Sequence, residues 1–176
     1  MFVKRALTIS QIQVQLEILY YPNIRDMIQK LSIYSIVLVA GDDDELQFLD
    51  TLSYLREELI LLEKWEMQVL FPKLLSRYIS GRENLDEDNH VSIQTAYKFV
   101  RVKRARVFKL TQNLRVMCND FVADFQWSET KRKCCEGLFA FYESILHYMN
   151  FEELTISPEI YKLLNQDLNN KVSDGY

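Results

Sequence analysis

The sequence predicts an all-α protein, folded as an antiparallel four-helix bundle, on three observations. Apolar residues recur at three- and four-residue spacing through most of the chain, the pattern of helices that bury one face. Only four glycines and three prolines occur among 176 residues, which suits long helices with short connections. The hydrophobic fraction of 48% is enough for one core, so residues 1–176 are expected to form a single helical domain.

Two of the four helices are predicted in the first half of the chain. One runs from about Asn23 to Ala40. The next starts in the acidic run Asp42 to Glu45, because negative charge suits a helix N-terminus, and it is expected to kink or restart at Pro72. Their inward positions are Ile24, Ile28, Leu31 and Leu38 in the first helix and Leu49, Leu52, Leu55, Leu59 and Leu62 in the second.

The second half repeats this arrangement after a polar loop over Gly81–Asn89. A third helix is predicted from about Val91 to Phe125, and a fourth starts at Ser128. A short extra C-terminal helix is expected after Pro158, since proline interrupts a helix interior. The inward positions are Val100, Val107, Leu114, Phe121 and Phe125, then Leu138, Phe141, Ile145 and Met149, and finally Ile160, Leu163, Leu164 and Leu168.

One segment near the N-terminus has strand periodicity instead. Its apolar residues alternate with polar ones, at Ile12, Val14, Leu16 and Ile18. A lone strand leaves backbone groups unpaired and needs a partner. The alternation therefore predicts a strand-like arm, which is either extended or paired with its copy in a homodimer.

Composition and charge indicate which partners and which cellular compartment to expect. The net charge of −4 gives no general attraction to nucleic acid or to an anionic membrane. Three cysteines do not make a disulfide framework, so a reducing, cytoplasmic setting is expected. The first ten residues lack the apolar stretch of a signal peptide. No apolar run reaches the roughly 18 residues needed to span a bilayer, so no membrane is expected.

Two local clusters have both a functional and a plain interpretation. The basic stretch Arg101–Lys109 suggests nucleic-acid binding, but a solvated helix face is favoured because aromatic residues do not interleave there as base-stacking platforms. Lys131, Arg132 and Lys133 precede Cys134 and Cys135, and nearby cations lower a thiol's pKa in redox-sensing sites. A packed or solvent-facing thiol is the favoured interpretation. No phosphate-binding glycine loop and no nucleophile elbow is present, so no catalytic residue is assigned.

Two carboxylates continue the apolar stripes of their helices. Steps of three and four residues lead from Leu59 and Leu62 to Glu66, and from Ile145 and Tyr148 to Glu152. Each glutamate also precedes a proline by the same number of residues, which suggests matched halves. A buried carboxylate must be protonated, hydrogen-bonded, metal-bound or paired with a cation. The alternative is that both lie near helix ends and reach solvent.

The segments around these glutamates resemble a known family. LLEKWEMQVLFPKLL and ESILHYMNFEELTISP resemble the second- and fourth-helix motifs of hemerythrin-like domains, and LYYPNIRDMI resembles the first-helix motif. The closer likeness is to bacterial di-iron proteins that repair iron–sulfur centres. The resemblance implies a four-helix bundle with a non-haem di-iron site, held by histidines and two bridging glutamates. It also implies oxygen or nitric-oxide sensing or iron-centre repair as a candidate function.

The chain departs from the family at the metal-binding histidines. Those positions carry Tyr21, Ala40, Leu62, Arg104 and Tyr148, while only Glu66 and Glu152 match the family's ligands. His90 falls in the predicted polar loop, where Glu87–His90 is the only Glu-x-x-His spacing. His147 lies one position from the ligand phase, about 100° around the helix. No metal or cofactor is therefore expected, and a bound metal would have only these two glutamates as family ligands.

Helix periodicity suggests what replaces the metal. Arg104 lies on the same face as Val100 and Val107, and its guanidinium can bridge two carboxylates. Hydroxyls of Tyr21 and Tyr148 can donate to the same carboxylates. The sequence thus predicts a metal-free polar cluster in a former di-iron pocket. Three functions remain open: a non-enzymatic binding or regulatory module with a protein partner or as a homodimer, a di-iron protein with an atypical ligand set, and a binder of small apolar ligands in the emptied interior.

Overall fold

The structure is a computed structural model that describes residues 7–38, 43–80, 92–122 and 128–173. Every regular element in these ranges is helical, which confirms the all-α prediction. None of the described helices is long and apolar enough to cross a membrane. The elements, in chain order, are α1 (Ile9–Gln15), a first π segment (Leu16–Tyr20), α2 (Tyr21–Leu38), α3 (Asp43–Trp65), a second π segment (Glu66–Leu70), α4 (Phe71–Ser80), α5 (Ile93–Met117), a 3₁₀ turn (Asn119–Phe121) and α6 (Glu129–Ser173).

The helices pack together around one apolar core. Helix α3 lies against α5, α2 lies against α6, and α5 and α6 are also in contact. The predicted stripes supply much of the core, which includes Ile24, Ile28, Leu31, Leu52, Leu55, Leu59, Leu62, Val100, Val107, Leu114, Leu138, Phe141 and Ile145. The core thus forms where the four long helical stretches meet.

The prediction of an N-terminal strand-like arm is wrong. Residues 9–20 are helical because Thr8 caps them: its hydroxyl accepts from the Gln11 amide, and the Gln11 side chain accepts from the Thr8 amide. The buried positions are Ile9, Ile12 and Leu16, which have helical spacing. The alternation was coincidental, because Val14 and Ile18 are exposed. Strand pairing between two copies therefore loses its basis.

Two of the three prolines each come two residues after the end of a π segment. The amide of Tyr21 bonds the carbonyl five residues earlier, and Pro22 comes next; the amide of Phe71 does the same before Pro72. Proline lacks an amide donor and its ring clashes with the preceding turn of an α-helix. The wider π turn relieves this crowding, so the chain stays helical through both prolines. The expected break at Pro72 is thus a π segment.

Pro158 lies inside the continuous helix α6, so the prediction of a separate short C-terminal helix is wrong. The ring is on the solvent side of the helix, where water can bond the carbonyl that loses its partner. Ile156 and Ile160, on either side of it, are buried and hold both halves of the helix to the core. The free energy gained by packing these two side chains therefore exceeds the free-energy cost of a proline within the helix.

The third predicted helix ends earlier than expected. Helix α5 stops at Met117, and the three residues of the following 3₁₀ turn have positive φ angles of 49°, 54° and 63°. This left-handed backbone cannot continue an α-helix. Arg115 stabilises the turn, since its Nε donates to Asp120 at 2.8 Å. Ala40, Phe125 and the loop predicted over residues 81–89 lie outside the described residues.

Candidate functional site: a buried arginine between two glutamates

The structure brings together all five side chains that the sequence assigned to one polar cluster. Tyr21 is the first residue of α2, Glu66 is the first residue of the second π segment, and Arg104 lies in the middle of α5. Tyr148 and Glu152 lie one turn apart on α6. Contacts among these five side chains define the site, which is called the polar cluster below.

Arg104 lies between the two carboxylates and contacts both. Its Nη2 donates to Glu66 Oε1 at 3.0 Å and to Glu152 Oε1 at 2.7 Å. Its Nε donates to Glu66 Oε1 at 3.2 Å and forms an ion pair with Glu152 Oε2. One guanidinium therefore joins α5 to the second π segment and to α6.

Both tyrosines donate to Glu66. The Tyr21 hydroxyl bonds Glu66 Oε2, and the Tyr148 hydroxyl lies 3.0 Å from each oxygen of the same carboxylate. Burial raises the pKa of both phenols well above the usual range, and the negative glutamates raise it further. The tyrosines stay protonated as a result, and they act as donors to Glu66.

The polar cluster is buried, so any net charge on it would lower the stability of the fold. Glu66 and Glu152 are 0% exposed and Arg104 is 9% exposed. Burial alone would lower the pKa of Arg104, but the charges of Glu152 and Glu66 raise it well above the usual value, so Arg104 stays charged. One cation with two ionised carboxylates would leave a net negative charge in the core, which is costly. A proton on one glutamate removes that charge.

Burial favours this proton on Glu152. Glu66 accepts hydrogen bonds from Arg104 and two tyrosines. Glu152 Oε1 accepts from Arg104, and Glu152 Oε2 forms an ion pair with the same guanidinium. Burial raises the pKa of Glu152 well above its usual range; Arg104 opposes this, and contact with Glu66 adds to it. The cluster thus holds a charged Arg104 between two buried carboxyl groups, and burial favours the protonated form of Glu152.

Residues next in sequence to the polar cluster form two stacked aromatic pairs. Tyr20, which precedes Tyr21, stacks on Phe151, which precedes Glu152, with ring centroids 4.9 Å apart. Trp65, which precedes Glu66, stacks on Phe99 with ring centroids 4.0 Å apart.

The donor set does not fit a di-iron centre. Imidazole and carboxylate are the usual iron ligands, whereas the cluster offers two carboxylates, two protonated phenols and a cation. Leu62, where the sequence resemblance implies a histidine, is buried one turn before Glu66 and has no donor atom. His147 is exposed, and His90 lies outside the described residues. In the described ranges, no group of three or more His, Cys, Asp or Glu side chains could hold a metal ion.

Sequence reasoning missed two neighbouring polar contacts. The Tyr97 hydroxyl donates to Ser157 Oγ at 2.7 Å, and both residues are buried. Lys103, 7% exposed, pairs with Glu58 at 2.8 Å. Tyr97 lies seven residues before Arg104 on the same stripe, a signal that could have found it. Two residues of the basic stretch, Lys103 and Arg104, are therefore buried and paired.

The adjacent cysteines are packed thiols. Cys134 and Cys135 are both buried, and with Cys118 they are free of disulfides. Burial raises the pKa of Cys134 to about 11 and also raises that of Cys135. A redox-sensing cysteine needs the opposite shift, because the thiolate is the reactive form.

Comparisons with known proteins identify no relative of this chain. No protein-family model, no curated protein and no solved structure matches it. The class of the site therefore rests on the geometry described above.

Replacing Arg104 tests the charge balance. Arg104→Leu leaves Glu66 buried without its cation, and we expect the free energy of unfolding to fall by about 3–5 kcal/mol. Urea denaturation at neutral pH measures the change. The variant Glu66→Gln/Arg104→Leu/Glu152→Gln removes all three charges and should recover part of the loss. An unchanged denaturation midpoint in Arg104→Leu would show that the pair is not buried.

The proton on Glu152 gives stability a characteristic pH dependence. Since the pKa of Glu152 is raised in the folded state, the folded chain binds this proton more tightly than the unfolded chain does. The stabilisation that this proton gives the folded chain is complete below the pKa of Glu152 in the unfolded chain, near 4.5. It is lost as pH rises through the pKa of Glu152 in the folded chain. Glu152→Gln mimics the protonated group. The unfolding free energy of this variant should therefore fall less than that of the parent between about pH 5 and about pH 9.

Urea denaturation across this pH series compares both variants with the parent. Glu66→Gln is the comparison variant: it removes a carboxyl group that accepts from Arg104 and both tyrosines, and it should lower stability by about 3 kcal/mol near neutral pH. The proton assignment is wrong if Glu66→Gln flattens the pH dependence and Glu152→Gln does not.

Proposed function

We propose that the chain is a metal-free, hemerythrin-like antiparallel four-helix bundle that serves as a non-enzymatic binding or regulatory module. The observation that carries the proposal is the position of Arg104. Its guanidinium contacts both glutamates at the centre of the polar cluster, where a family member would hold its metal. The positive charge that the carboxylates require is thus supplied by the chain itself.

The layout of the helices supports the bundle topology. Helix α3 lies against α5 and α2 lies against α6, which accounts for the four long stretches in two packed pairs. Glu66 and Glu152 come from the two matched halves of the sequence and are linked through one arginine. Short connections between long helices favour antiparallel neighbours.

The chemistry of the polar cluster supports a structural role for it. The guanidinium carries no lone pair for a metal or a proton. Both phenols and Glu66 are bonded to each other within the cluster. Such a closed network stabilises one packing of the helices, and it offers no free nucleophile or base.

The setting and partners follow from the same proposal. Three free thiols, two of them buried with raised pKa values, suit a reducing cytoplasmic compartment. A binding module needs a partner, which we take to be a small ligand, another protein or a second copy of the chain.

Metal analysis tests the proposal. Protein produced with added iron and zinc should contain far less than one metal ion per chain by plasma mass spectrometry, because Arg104 holds the position between the carboxylates. A comparison variant returns imidazole at three family positions, Leu62→His/Arg104→His/Tyr148→His. Iron uptake by this variant alone would identify the replaced ligands as the cause. Stoichiometric iron or zinc in the parent, with a visible absorption band under oxygen, would overturn the proposal in favour of the di-iron function.

A further inference from the structure

A groove with a volume of about 560 Å³ lies between α2 and α3, beside the polar cluster. Its floor consists of the buried side chains of Tyr21, Ile24, Ile28 and Leu59. Its rim is formed by Arg25, Gln29, Ser32, Arg56, Ile60 and Glu63. A volume of this size and an apolar floor with a few polar groups are typical of small-molecule sites.

The rim of the groove carries one excess positive charge. Arg25 is paired with Glu63, and its Nε donates to Glu63 Oε2 at 3.0 Å. Arg56 faces solvent, and no acidic side chain in the described ranges pairs with it. The groove therefore combines an apolar floor with a guanidinium that is available to an anion at its mouth.

We propose that this groove binds an amphipathic monoanion, a medium-chain aliphatic carboxylate, with its tail on the Ile24–Ile28–Leu59 floor and its head group at Arg56. Arginine is suited to this head group because its donors match the two oxygens of a carboxylate. The inference deepens the proposed function, since it rests on the chain being a binding module and names the class of its ligand.

Tyr21 connects the groove with the polar cluster. Its buried side chain lines the groove, and its hydroxyl donates to Glu66. A tail that fills the groove packs against this ring and holds the hydroxyl at Glu66. Occupation of the groove thus stabilises the polar cluster, which is the regulatory link between ligand and fold.

A chain-length series measures the apolar contribution. Hexanoate, octanoate and decanoate are titrated into the full chain by isothermal calorimetry, with decanol as the uncharged probe. Each buried methylene contributes about 0.8 kcal/mol, so affinity should rise about fourfold per added methylene. A series without chain-length dependence, or no binding by any of the carboxylates, overturns the proposal.

Arginine variants measure the contribution of the head group. Arg56→Gln should weaken decanoate about fivefold, the upper end of what an exposed ion pair contributes, and should leave decanol unchanged. Arg132→Gln is the matched control, because Arg132 is exposed on α6 and does not line the groove. Equal decanoate affinity in Arg56→Gln and the parent overturns the assignment of the head group.

Light scattering identifies a competing occupant. We expect a monomer whose mass is unchanged by decanoate. A dimer that prevents decanoate binding and that Ile60→Asp dissociates would assign the groove to a second copy and overturn the ligand proposal. None of these outcomes depends on metal content, so failure of the titrations and failure of the metal-free assignment are distinguishable.

Discussion

The ionic contact between buried Arg104 and the two glutamates is the constraint on which the other features depend. Two carboxylates with no solvent exposure are tolerated only when charge and hydrogen bonds neutralise them. Arg104 provides one positive charge, and burial raises the pKa of Glu152, which favours its neutral form. Three separate parts of the chain, namely α5, α6 and the second π segment, are thereby held at fixed positions. A purely apolar core could give similar stability, but it would not specify this arrangement so narrowly.

The π segments explain how the chain supplies these side chains at the right place. Each lies directly before a Tyr-Pro or Phe-Pro pair, and each borders a residue of the polar cluster, Tyr21 or Glu66. A π turn shifts the register of a helix, so side chains on either side of it point differently from those of a regular helix. Tyr21 follows one widened turn and Glu66 begins the other, and the two side chains are joined by a hydrogen bond.

Much of the fold and of the candidate site could be predicted from helical periodicity. The stripes through Leu59, Ile145 and Val100 lead to Glu66, Glu152 and Arg104, and the structure brings these side chains together. Local signals were less reliable. At Ile12–Ile18, alternation suggested a strand, although the capping pair Thr8 and Gln11 favours a helix. At Pro158, packing of Ile156 and Ile160 outweighs the proline, and such tertiary contacts are not visible in a single segment. The groove between α2 and α3 also required three-dimensional packing.

The central claim is that the Arg104 guanidinium takes the position of a cation between the carboxylates of Glu66 and Glu152. Crystals grown from protein purified with added iron test it most directly, with diffraction data collected above the iron absorption edge. The account predicts guanidinium density within hydrogen-bonding distance of both carboxylates and no anomalous peak between them. An anomalous peak at that position, with Arg104 turned away from the two glutamates, would contradict it.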